Sequence, residues 1–278
     1  MKKFWKNANF ALRAGLIITV IFLIIGFVVY FIPHEDPFIF NTYKPKLGAS
    51  LEHPLGTTSM GQDVRWLLIE AIHNSLLIGL IVATIGTVVG VFVGLLSGFA
   101  GGTLDRVLMV VTDTFVVIPS LPILILMTSL MKGKSTVILI ALILAMFAWA
   151  WPSRQIRSMA LTLKERDFIQ TAKFSGEGTV QIVVTEILPF ALTWSLSNFM
   201  NATLNAIASE SSLAVLGLSP ANLVSLGNMI QWARDRNAIF NRQWLWIGSP
   251  IVATVVLFIG LFLLITGYND YLSMKRGR

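Results

Sequence analysis

Apolar runs, uncharged except for Asp113, alternate with short polar interruptions along the whole chain. The runs cover residues 14–32, 74–99, 107–131, 135–153, 187–209 and 244–268. Each approaches or exceeds the roughly 20 residues that a helix needs to cross a hydrocarbon core about 30 Å thick. None shows the alternation over about 10 residues that marks a transmembrane strand, and an isolated span must satisfy its own backbone hydrogen bonds. The pattern predicts an all-α integral membrane protein with six transmembrane helices. The most polar interruption lies at 157–189. Within it the spacing predicts a short helix over 168–175, ended by Gly176 in the left-handed C-cap conformation that glycine adopts readily. A second helical stretch over 177–188 then leads into the fifth span.

This reading divides the chain into an N-terminal anchor helix with its loop, 1–73, and a core of five membrane helices, 74–278. A signal peptide is the alternative for the first run, since Lys2, Lys3 and Lys6 precede it. The run is much longer than an h-region of about ten residues, and no small-residue cleavage site follows, so it is expected to stay as an anchor.

Composition agrees with the pattern: 55% hydrophobic residues, 13% charged, mean hydropathy +0.75. With no cysteine, disulfides and thiolate metal sites are excluded. The net charge of +7 follows from an uneven distribution. Placing both termini and the 157–189 loop inside puts 13 Lys and Arg residues inside and 8 outside. The positive-inside rule then sets the termini in the cytoplasm of a multi-pass protein of the cell (inner) membrane. Nucleic-acid binding would need the basic residues gathered on a folded soluble face, which is lacking.

Several residues within the runs are candidates for more than span formation. Gly86, Gly90, Gly94 and Gly98 recur every fourth position, so they share a helix face and permit close approach of a neighbour from this chain or a partner. Trp194, Asn198, Asn201, Asn205 and Ser209 follow a helical repeat, and Glu210 adjoins them. These polar groups serve either as interhelical hydrogen bonds or as the wall of a water-filled solute path. Asp113 is the other acid within a span, open to the same two readings. Pro119 and Pro122 are expected to bend the third span. Trp232, Trp244 and Trp246 are expected as interfacial anchors. His34, His53 and His73 are dispersed, without metal-ligand spacing.

A pump needs an energy source, and Gly133-Lys134-Ser135 resembles the tail of a phosphate-binding loop. It lacks the earlier glycine, where Thr128 stands, and any preceding strand. No catalytic set appears elsewhere, which argues against an intramembrane enzyme. ATP hydrolysis, if used, belongs to another subunit. A gradient-driven channel or secondary transporter would predict inverted repeats, and none is visible.

The residues Gln170-Thr171-Ala172, Gly176 and Ile187-Leu188-Pro189 fit a pattern of E-A-A, three residues, G, then I-L-P. With them go His53-Pro-Leu-Gly-Thr57, Gly61, Asp63, Gly101-Gly102 with Asp105, Asp113 with Pro119, and Glu210 followed by Leu213 and Leu216-Gly-Leu218. On these motifs most of the chain resembles the C-type permease subunits of oligopeptide and dipeptide ABC importers. The resemblance implies the type I importer fold and a coupling helix at Phe168, Ile169, Gln170, Thr171, Ala172, Gly176 and Pro189. It also implies a second homologous permease, two ATP-binding subunits and an extracellular or periplasmic solute-binding protein, with ATP and Mg held by the partners and no cofactor in this chain. The cargo would be an oligopeptide or, because Met229-Ile-Gln-Trp-Ala233 and Trp244-Leu-Trp-Ile247 resemble oligosaccharide branches, a sugar; the family also includes nickel importers. Four positions depart from the pattern: Thr58 and Gln62 replace an acid and an arginine, and Gln170 and Thr171 replace the first two residues of E-A-A.

Overall fold

The structure, a computed structural model, describes residues 9–130, 136–220 and 222–276. Lys2, Lys3 and Lys6 of the charge count, and the Gly133-Lys134-Ser135 turn, lie outside the described residues. The helices are α1 (Phe10–Phe27), α2 (Val64–Ala100), α3 (Gly102–Val117), α4 (Ser120–Leu130), α5 (Val137–Ala148), α6 (Ala150–Lys164), α7 (Asp167–Phe174), α8 (Thr179–Ile182), α9 (Leu188–Val215), α10 (Leu226–Asp235) and α11 (Trp244–Arg276). Among the described residues, 5 helical stretches are long and apolar enough to cross a membrane, and 6 if α3 and α4 form one broken span.

The boundaries differ from the hydropathy runs for identifiable reasons. α2 starts at Val64 and α8 to α9 runs from Thr179 to Val215, because helix propagates through polar residues that hydropathy leaves out. The third span is broken rather than bent: α3 and the start of α4 meet at 76°. The break falls at Ile118, held extended (ψ 122°) by the proline that follows it. Pro122 makes no such break. It sits in the first turn of α4, where a missing N–H leaves no bond unmade. Pro189 has a different effect: it cannot donate to Thr185, and the chain forms a π turn over Val183–Ile187 in which the Leu188 N–H reaches Val183 O.

The described residues form two compact units that cut across the 1–73 and 74–278 division drawn from the sequence: 1–79 with 125–140 and 204–278, and 80–124 with 141–203. In the first unit α1, capped by Asn9 accepting from the Leu12 N–H at 2.9 Å, lies along α11. Gly15 touches the Leu264 backbone, and Gly260 touches Ile18. Leu67, Ile72, Met229, Trp246 and Leu257 fill its core. Trp246 therefore belongs to the interior and not to an interfacial belt, while Trp244 stays exposed. Ile17, Ile21, Val255 and Ile259 point outward, where lipid tails receive them without penalty.

The second unit is built on the glycine face of α2. A Cβ on Gly86 would lie 2.8 Å from Ala148 Cβ, on Gly90 2.6 Å from Pro152 Cβ, and on Gly98 2.7 Å from Ala160 Cβ. Gly94 meets Ser153 and Ile156 in the same way. The four glycines serve packing within this chain, against α5 and α6.

Candidate coupling site and intramembrane polar residues

α7 is a small platform with a buried base and an exposed top. Ile169 and Ala172, three residues apart, sink into a cluster with Leu95, Ile156, Ala160, Ile182, Ile187 and Ala191. Phe168 is partly exposed, 6.0 Å between ring centroids from Phe190. Phe174 is 90% exposed and Val180 is 77% exposed. The helix closes with a Schellman motif: the Glu177 N–H bonds Ala172 O at 3.1 Å, the Gly176 N–H bonds Lys173 O at 3.0 Å, and Gly176 has φ +81°. The sequence-based stop at Gly176 stands. The second helical stretch expected over 177–188 is present from Thr179 onward and runs into α9, with the π turn over Val183–Ile187 within it.

The two departures at the start of the motif have local explanations. Gln170 Nε2 donates to Lys164 O at 3.2 Å, tying α7 to the end of α6. An ionised glutamate has no proton to make that bond. Thr171 Oγ1 donates to Asp167 O at 2.9 Å and is spent on its own helix.

Behind α7, charged pairs fasten α6 to its neighbours. Arg157 holds Asp105 bidentately, Nε to Oδ1 and Nη2 to Oδ2 both at 2.6 Å, and Ser97 Oγ donates to the same carboxylate. Lys164 Nζ donates to Phe99 O at 3.2 Å, completing the end of α2. Sequence reasoning missed this frame, since the Asp105 and Arg157 partners stand 52 residues apart. The sequence marked Asp105 beside Gly101-Gly102, and nothing in it pointed to Arg157 as the partner. We expect Arg157→Ala and Asp105→Ala to destabilise the subunit by about 1–3 kcal/mol each, with the double variant costing much less than their sum. Thermal unfolding of the four members of the cycle measures the coupling, and additivity would show that the pair contributes nothing.

The polar residues of α9 share one side of the helix, as their spacing predicts, but they differ in surroundings. Asn198 is buried and its Nδ2 donates to Thr87 Oγ1 of α2 at 3.2 Å, an interhelical hydrogen bond. Asn201 is exposed and bonds its own helix at Ser197 O, and Asn205 is exposed as well. Glu210 departs from the expected position. Nine residues beyond Asn201, about two and a half turns, it emerges on the opposite side of the helix and is only 1% exposed. Ser225 Oγ, the N-cap of α10, donates to it at 2.7 Å. Asp113 is half-exposed and pairs with Arg154 at 3.5 Å. Along α9, Asn201 and Asn205 thus share an exposed side from which Glu210 is turned away. The histidines are engaged singly: His53 Nδ1 lies 2.8 Å from Asp63 Oδ2, His34 stacks on Trp66, and His73 stacks on Tyr30.

Comparison with known proteins adds a family to this geometry. Residues 86–278 match the family described as binding-protein-dependent transport system inner membrane component. The oligopeptide transport system permease protein OppC of Mycobacterium tuberculosis (strain H37Rv) is 32% identical over 210 residues, covering 74% of this chain and 71% of the relative. OppC of Lactococcus lactis subsp. cremoris is 28% identical and covers 95% and 90%, respectively. The nickel transport system permease protein NikC of Escherichia coli K12 is 27% identical, covering 92% of each chain. Among solved structures, a chain of the MetNI methionine ABC transporter in an inward-facing crystal form superposes with TM-score 0.51 at 18% identity, over 73% of this chain and 96% of that one, a likeness of fold.

Proposed function

Because the chain belongs to the family of binding-protein-dependent transport inner membrane components, we propose that it forms half of the translocation path of an ATP-driven oligopeptide importer. As a member of that family it is a multi-pass permease subunit of an ABC importer in the cell membrane, and ATP hydrolysis lies in separate subunits. The complete machine has a second homologous permease, two ATP-binding subunits that hold ATP and Mg, and a solute-binding protein on the outer side. Both termini and α7 face the cytoplasm, as the basic residues favour. Peptide cargo follows from the OppC relatives; a sugar is the alternative outcome of the test below.

The observation that carries this reading is the platform at α7. Phe174 holds apolar surface in the open on an element outside the long apolar spans, while Ile169 and Ala172 root that element in the helices behind it. A groove on an ATP-binding subunit would cover Phe174, and closure of two such subunits on ATP would move the rooted helices with α7. Coupling of this kind is a two-state membrane element biased by a partner.

Asn201 and Asn205 are assigned to the path, since amides exposed on a spanning helix are costly against lipid and favourable against water. In the assembly reconstituted with its binding protein, labelled peptide should accumulate only with ATP. Asn201→Leu with Asn205→Leu should cut that accumulation roughly tenfold, about 1.4 kcal/mol on a path barrier, with the complex intact by size exclusion. Asn198→Leu should instead lower assembly. Loss of assembly in the Asn201 and Asn205 variant would make those residues packing groups. Accumulation of oligosaccharide with indifference to peptide would overturn the cargo.

A further inference from the structure

Where α9 closes onto α10, the buried polar groups leave oxygens unserved. Glu210 and Asn228 are 1% and 0% exposed and lie in the same compact unit. Glu210 Oε1 accepts from Ser225 Oγ at 2.7 Å and from Ser219 Oγ at 3.5 Å. Ser219 Oγ also accepts from Asn228 Nδ2 at 3.2 Å, so one hydroxyl joins the carboxylate to the amide. The same amide nitrogen turns to Leu223 O and Pro220 O. Glu210 Oε2, Asn228 Oδ1 and Ser211 Oγ are buried without a hydrogen-bond partner. Ser211 is pressed against the start of α10, where a Cβ on Gly227 would lie 2.6 Å from Ser211 Cα. None of the ion pairs among the described residues includes Glu210. A carboxylate buried this deeply requires a counter-charge or must give up its own.

We infer that Glu210, Asn228 and Ser211 form an oxygen-lined site for one monovalent alkali cation. The donor set is hard, a carboxylate, an amide carbonyl and a hydroxyl, which suits alkali and alkaline-earth ions over softer metals. It carries one formal negative charge. Sites for divalent ions commonly gather several carboxylates, and no group of three or more His, Cys, Asp or Glu residues occurs among the described residues. A cation here links α9 to α10 beside two contacts that tie the same segment to α2: Asn74 Nδ2 to Val224 O at 2.8 Å, and the Leu226 N–H to Ser75 Oγ at 3.1 Å. The site does not lie on the Asn201 and Asn205 face.

The test uses the complete transporter in nanodiscs, with thermal unfolding of this subunit followed while N-methyl-D-glucamine chloride is replaced by LiCl, NaCl or KCl at constant ionic strength. The expected result is a saturable rise in midpoint of roughly 2–4 °C in at least one alkali salt. Ser211→Ala, which removes a single hydroxyl and should still assemble, is expected to weaken the response, and Glu210→Gln to abolish it. An identical wild-type midpoint in all four salts would overturn the site, leaving the three oxygens to water or to a proton on Glu210. A full response in both variants would overturn it equally.

Discussion

Gly94→Leu is expected to yield no assembled transporter. Even the first added carbon collides: a Cβ on Gly94 would sit 2.6 Å from Ser153 O and 2.7 Å from Ile156 Cβ, and neither is the yielding end of a long side chain. Ser153 O is backbone of α6, and Ile156 is fully buried in the cluster beneath α7. One extra methylene in a packed core costs about 1–3 kcal/mol, and leucine adds three more carbons that would have to force α6 away from α2. A loss above about 4 kcal/mol is a large share of a total stability near 5–15 kcal/mol. Gly248→Ala is the matched control. Its Cβ meets no atom within 4 Å, so the subunit should be unchanged or slightly more stable through helix propensity. Recovery of the detergent-solubilised complex by size exclusion separates the two. Wild-type recovery of Gly94→Leu would show that α2 and α6 are not held at this distance.

Phe174→Ala carries the second large effect, and it falls on activity. With 90% of the residue exposed, truncation should leave folding and spanning untouched. If the ring is the aromatic anchor of the ATP-binding subunit, its loss should weaken docking by about 2 kcal/mol or more, near a thirtyfold change in affinity. Binding-protein-stimulated ATPase activity would fall accordingly, while the free ATP-binding subunits keep their basal rate. Ile169→Ala should behave differently, lowering thermal stability as well as activity, because Ile169 roots the platform in the cluster with Ile156 and Ile187. Unchanged stimulation in Phe174→Ala would remove the ring from the interface and with it the observation on which the coupling role rests.

The legibility of these features in the sequence varied with the range of the interaction responsible. Gly176 was readable because a left-handed C-cap needs only its own backbone freedom and the preceding helix. The break at Pro119 was readable as a bend but not in degree. Pro122, also read as bending the helix, proved harmless because a helix restarts just before it. The roles of Gln170, Trp246 and Glu210 were misread or left open, since each depends on an atom brought near by other helices: Lys164 O, the first unit's core, and Ser225 Oγ. Periodicity placed Asn198 beside Asn201, yet one meets Thr87 and the other faces outward.

Sequence alone was enough to establish that this chain spans a membrane with helices, where its polar loop falls, and that a close-packing face runs down α2. Those properties follow from transfer free energy and from backbone bonds that must close within each segment, both set residue by residue. Only the tertiary structure decided which helix fills the glycine face, that Asp105 and Arg157 lock α6 in place, and that Glu210 turns inward while Asn201 and Asn205 do not. These outcomes depend on side chains far apart in the chain meeting at contact distance, and no local pattern records which partner a packed surface will find.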